Sequence, residues 1–265
     1  MTRPLAGVTV VVTRPRAQAA RFATLVSEAG AAPLLLPALE IESIELEAEA
    51  RARLAPDAFD WTIYTSANAV ESSLRQLPHP VRTRIAAVGR GTARALAEHG
   101  IAVQAVPATT ADSEGLLALE PFAEVAGQRI LILKGEGGRT LLREQLERRG
   151  ATVASGDLYR RVPAVPDPAS LAQLERACAA GSVVVAVTSA ESLAALLTAL
   201  PDARLPRLRD ATLLVPGERV AASARSRDWR GPLRVATSAE DAAMAAALPG
   251  FVAPGAPPDG RPAPP

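Results

Sequence analysis

The chain has 265 residues, room for two domains with a buried core each, and a formal net charge of +1. That balance excludes the basic stripe of a general polyanion binder, and with 3% aromatic residues there are too few rings for a channel that stacks nucleic-acid bases. A single cysteine, Cys178, excludes an internal disulfide framework and a cysteine-based zinc site.

In chain order, Gly7 opens an apolar run, Val8–Thr13, which reads as a strand and passes through Arg14-Pro15 into a helical stretch, Ala17–Ala29. A short strand, Pro33–Leu36, is followed by an extended segment, Leu36–Glu42, that breaks the helical rhythm. Trp61–Thr65 is the next strand and runs into Ser66-Ala67-Asn68. Ile85–Val88 leads through Gly89-Arg90-Gly91 to the helix Thr92–His99, and Val103–Val106 reads as a further strand.

From Gly127 the sequence repeats itself. The strand Arg129–Lys134 and the helix Arg139–Arg149 end at Gly150, with the same glycine spacing as Gly7 to Gly30. An extended segment, Tyr159–Pro166, stands where Leu36–Glu42 stands in the first copy. Val183–Thr188 runs into Ser189-Ala190, echoing Thr65-Ser66-Ala67, and the helix Ser192–Leu200 follows. Strands Thr212–Val215 and Leu233–Ala236 complete the second copy. Alternating strands and helices, with several strands apolar throughout, predict doubly wound parallel α/β sheets. Two long copies predict two similar lobes with a cleft between them. The Pro-rich tail, 251–265, is expected to be disordered. No apolar stretch approaches the roughly 20 residues of a spanning helix, and a soluble cytoplasmic monomer is the expectation.

Parallel sheets bind ligands outside the carboxyl ends of their strands, where loops meet helix N-termini. Thr65-Ser66-Ala67-Asn68 and Thr188-Ser189 would set hydroxyls and amides there, which suits an anion; the plain alternative is that both serines are N-caps. Lys134-Gly135-Glu136-Gly137-Gly138-Arg139 is a glycine-rich turn with a cation at either end, but lacks the Gly-Lys-Ser/Thr of a phosphate loop. Gly89-Arg90-Gly91 lacks the third position of a dinucleotide fingerprint, so no nicotinamide cofactor is expected. Arg14 and Arg219 follow strands at equivalent places. The only histidines, His79 and His99, form no triad or metal set with their surroundings. Tyr159 sits at the second extended segment, where a phenol can protonate a leaving oxygen or simply pack at a hinge.

These motifs, taken in order from Val10 to about Leu248, resemble the uroporphyrinogen-III synthase family. The carriers are Val11-Val12-Thr13-Arg14-Pro15, Asp60 to Val70, Ala87 to Ala93, Ser113 to Leu117, Lys134 to Arg139 and Tyr159-Arg160-Arg161. Lys134 stands where many members carry Arg, which keeps the charge and gives up a bidentate grip. The resemblance implies two flavodoxin-like lobes with parallel sheets, joined by a two-stranded connector. One lobe would comprise 1–36 plus 166–250 and the other 37–165, with connector strands at about 37–42 and 159–165. It also implies a cofactor-free and metal-free hydro-lyase acting on hydroxymethylbilane, with lobe motion on binding and transient contact with the preceding pathway enzyme. Tyr159 would be the acid; Arg14, Ser66, Ala67, Asn68, Lys134, Gly135, Arg139, Thr188 and Ser189 would hold substrate carboxylates. Two rivals share these features: a non-catalytic two-lobed protein binding a small anionic ligand, and a nucleotide- or flavin-binding α/β enzyme.

Overall fold

A computed structural model describes residues 5–108, 110, 112–138, 140–200 and 204–248. Arg139 and the 251–265 tail lie outside the described residues. The strands are β1 (Thr9–Val12), β2 (Ala32–Leu35), β3 (Leu39–Ser43), β4 (Trp61–Tyr64), β5 (Arg84–Ala87), β6 (Arg129–Gly135), β7 (Thr152–Pro163), β8 (Val183–Ala186), β9 (Thr212–Val215) and β10 (Leu233–Val235). Helices fill every interval except that between β2 and β3, so the described residues form an α/β fold. It divides into two compact units, one from the described residues of Met1–Glu40 and Val162–Pro265, the other Ile41–Arg161. Both passages from unit to unit fall inside strands, β3 and β7.

The first unit holds a five-stranded sheet of order β10-β9-β8-β1-β2, parallel at every junction. Its three inner strands, β1, β8 and β9, are Val- and Leu-rich runs because both faces are covered. Val11, Val185, Leu213 and Val215 point into one core; Val10, Val12, Val184 and Leu214 alternate into the other. Helix Arg16–Glu28 supplies Ala19, Phe22 and Val26 to the second of these cores.

The second unit has the order β3-β7-β6-β4-β5, with β7-β6, β6-β4 and β4-β5 parallel. Here Tyr64, Leu131 and Leu133 face one core, and Trp61, Ile63, Ile130 and Ile132 the other, where Phe122 lies 4.9 Å from Trp61 between ring centroids.

Two strand expectations are corrected. Val103–Val106 makes only a single bridge, Ala86 to Ala105. The Gln104 side chain accepts the Ile85 amide at 2.6 Å, and Pro107 has no N–H to carry a ladder further. Conversely β7 begins at Thr152, ahead of the extended segment expected from Tyr159. Its polar Ser155, Asp157, Arg160 and Arg161 hide the alternation, and the pairing with β6 over Arg129–Gly135 creates the strand.

Candidate functional site

In the second unit, the ends of β4 and β6 converge with a stretch inside β7. Tyr64 at the end of β4 is the register partner of Leu133 in β6, so Ser66 and Gly135 lie just beyond the same edge. Ser66 is the N-cap of helix Ala67–Gln76, with extended backbone (φ −160°, ψ 161°) and its Oγ accepting the Ala69 amide at 3.1 Å. Ala67 and Asn68 form the first helical turn, half-buried, at the end where amides lack intrahelical acceptors. Thr65 donates through its amide and its hydroxyl to the Leu133 carbonyl, at 3.1 and 3.3 Å, which ties the cap to β6.

The β6–β7 ladder slips at this point. Lys134 pairs with Asp157, but Gly135 pairs with Tyr159, so Leu158 is skipped and Tyr159 is brought level with the glycine. The Glu136 amide then donates to the Tyr159 carbonyl at 2.7 Å. The Tyr159 ring is buried, 3% exposed, yet its hydroxyl meets Ser66 Oγ at 2.9 Å. Ser66 Oγ already accepts the Ala69 amide, so its own hydrogen can go to the phenol oxygen and leave the phenol hydrogen for a third partner.

Lys134 is committed locally. Its Nζ lies 2.6 Å from Asp157 Oδ1 and donates to the carbonyls of Gly135 and Gly137, at 3.3 and 3.0 Å. It closes the glycine turn, whose Gly137 and Gly138 both adopt positive φ (73° and 83°) that a side chain would strain. Asp157 gives no signal in the sequence; it becomes Lys134's partner only through strand register.

In the first unit, β1 and β8 pair Val12 with Ala186, so Arg14 and Thr188 each lie two residues past the same rung. Thr13, between, donates to the Ala186 carbonyl at 2.7 Å. Ser189 caps helix Ala190–Ala199 with backbone angles (φ −157°, ψ 162°) nearly those of Ser66. Its hydroxyl is used differently: Ser189 and Ser192 form a reciprocal capping box. Arg14 turns inward, donating to the Ala239 carbonyl at 2.7 Å and pairing with Asp241 at 2.8 Å, with its guanidinium 5.5 Å from the Phe22 ring centre. Burial pulls the Arg14 guanidinium below its ordinary value, against the opposing pull of Asp241. The structure thus gathers Ser66, Ala67, Asn68, Lys134, Gly135 and Tyr159 at one strand edge, and Arg14, Thr188 and Ser189 at another.

The sequence model of uroporphyrinogen-III synthase HemD matches residues 20–246. The chain belongs to the uroporphyrinogen-III synthase family. It is 39% identical over 171 residues to the uroporphyrinogen-III synthase of Salmonella typhimurium, covering 64% of this chain and 68% of the relative. To that of Synechococcus elongatus it is 38% identical over 184 residues, covering 64% and 67%. A crystal structure of a mutant uroporphyrinogen III synthase from Thermus thermophilus is similar with TM-score 0.56 at 26% identity, covering 92% of this chain and 97% of that one. A second, from Helicobacter pylori 26695, shares the fold with TM-score 0.59 at 18% identity, covering 89% and 95%. The two-lobed α/β architecture is therefore that of the uroporphyrinogen-III synthase family. Among the described residues no helix is long and apolar enough to cross a membrane.

Proposed function

We propose that this chain is the hydro-lyase that closes hydroxymethylbilane to uroporphyrinogen III, a step of porphyrin biosynthesis. Family membership across residues 20–246 carries the reading. The substrate is a linear tetrapyrrole with eight carboxylates. Its terminal hydroxyl leaves as water, which makes the end carbon electrophilic. The substituted carbon of the last ring attacks that carbon, and a spiro intermediate resolves with the ring inverted.

The same substrate closes unaided to the non-inverted isomer. The catalyst therefore has to restrict which carbon reaches the electrophile more than it has to lower a high barrier, and positioning can supply that. In this reading Tyr159 protonates the departing hydroxyl, with Ser66 holding the phenol oxygen from behind. The pair at 2.9 Å supports that arrangement, because it fixes a weak acid at a strand edge without a charged residue. Carboxylates are assigned to the helix starts at Ala67-Asn68 and Thr188-Ser189, to Gly135 and Arg139, and to Lys134 and Arg14. The last two must each leave an aspartate, Asp157 and Asp241, to take part. A monomer working in the cytoplasm, in passing contact with the enzyme that delivers its unstable substrate, completes the proposal.

The test is product identity. Hydroxymethylbilane incubated with the protein and oxidised to porphyrin is expected to yield the inverted isomer. The non-inverted isomer alone, at the spontaneous rate, would overturn the proposal and leave a binding protein.

A further inference from the structure

We infer that Gly135 is a positioning residue for Tyr159, its missing side chain providing the space in which the phenol lies. This deepens the reading in which Tyr159 is the acid, and rests on it for its consequence in catalysis. A Cβ built on Gly135 would lie 2.6 Å from Tyr159 Cζ, 2.8 Å from Cε2 and 2.9 Å from the hydroxyl oxygen. Carbon atoms in contact sit about 3.5–4 Å apart, so ring and side chain cannot share the space. The ring has little room to yield, since it is 3% exposed and packed in the core with Leu131, Leu133 and Leu158.

Three further contacts show that the tyrosine is steered to this spot. The skipped Leu158 sets Tyr159 opposite Gly135, where an unbroken ladder would have set Leu158. The Glu136 amide fixes the Tyr159 carbonyl at 2.7 Å. At the far end of the ring, Ser66 Oγ takes the hydroxyl at 2.9 Å. Gly135 is not among the positive-φ glycines, so backbone conformation does not demand a glycine there. The demand comes from the ring. Gly135 thus acts through the phenol, and an added methyl group would push the hydroxyl away from Ser66 while leaving both hydroxyls chemically intact.

The experiment measures Gly135→Ala in two backgrounds, the natural chain and Tyr159→Leu, whose side chain ends before the colliding atoms. Thermal melting reads the collision directly. Gly135→Ala is expected to lower Tm by about 5 °C or more, or to prevent folding, when Tyr159 is present, and to change it little in the Tyr159→Leu background. An equal cost in both backgrounds would overturn the inference, whatever the activities. Steady-state turnover reads the consequence. Gly135→Ala is expected to cut kcat about 10-fold to 100-fold with a much smaller change in KM. The double variant Gly135→Ala/Tyr159→Leu should be no slower than Tyr159→Leu, because both act through one group. Multiplying losses would mean that the added methyl group slows turnover independently of the ring, against the inference. If Tyr159→Phe keeps full turnover, the acid reading falls, and the two-background melting still decides whether Gly135 places the ring.

Discussion

Tyr159 and Ser66 stand 93 residues apart in the chain, yet their hydroxyl oxygens lie 2.9 Å apart. The contact joins the interior of β7 to a helix cap, and each partner is fixed by its own element. Tyr159→Phe removes only the phenol oxygen. Its kcat is expected to fall by about 10²-fold or more, the usual yield of a positioned acid, with Tm nearly unchanged. Rate of isomer formation and a melting curve check both halves; undiminished turnover would take Tyr159 out of the mechanism.

Ser66→Ala does two things at once. Losing the cap on the Ala69 amide is expected to cost about 1 kcal/mol of stability, and the phenol loses its partner. Ser189→Ala is expected to cost a similar amount, about 1 kcal/mol, by opening the capping box with Ser192. Urea titration of both variants compares the twins. A clear kcat loss in Ser66→Ala beyond its stability change separates the cap that meets Tyr159 from the one that closes on Ser192.

Arg14 and Asp241 form an ion pair with both side chains only 15% exposed. Removing one partner strands a mostly buried charge, so Asp241→Asn is expected to destabilise by about 3 kcal/mol. Replacing both, Arg14→Met with Asp241→Leu, is expected to be milder than the single change. Denaturant midpoints of the single and double variants check the order; a double loss equal to or above the single would mean that the charges are not what matters.

Lys134 can serve the substrate only by leaving Asp157. Asp157→Asn weakens the 2.6 Å ion pair and is expected to lower KM severalfold while kcat stays close to that of the natural chain. A raised KM would assign Lys134 to holding the glycine turn instead.

Acid sensitivity has an identifiable source. The Asp57 carboxylate accepts the amides of Arg82, Val81 and Thr83 at 2.8, 2.9 and 3.2 Å, and these bonds hold its pKa below the ordinary carboxylate value. Asp167 is likewise lowered, by the Ser170 amide and hydroxyl. A depressed folded-state value means that the unfolded chain binds more protons in this range. The stabilisation is complete above the unfolded pKa, about 4, and is lost as pH falls through it toward the folded value. Asp57→Asn is expected to flatten the fall of stability below about pH 4. Melting curves from pH 6 to pH 3 check it; an unchanged slope would place the acid sensitivity elsewhere.

The parallel strands were legible because their cause is local. Val183–Ala186 and Thr212–Val215 are buried at every position, and a strand covered on both faces must be apolar along its length. The helix starts at Ser66 and Ser189 were legible for the same reason, since a cap acts within three residues. The twin cycles made the repeated architecture readable, and the order of motifs made the family readable.

What the amino-acid order could not disclose was partnership over distance. Whether Ser66 is only a cap or also a phenol's partner depends on a slip at Leu158, a property of two paired strands. Lys134 and Arg14 read as open cations; the fold hands each an aspartate from a remote segment, Asp157 and Asp241. Local residue patterns decide which elements form, because helices and strands answer to nearest neighbours along the chain. Tertiary packing alone decides which strand ends meet, and therefore which hydroxyl, charge or empty space each site residue finds beside it.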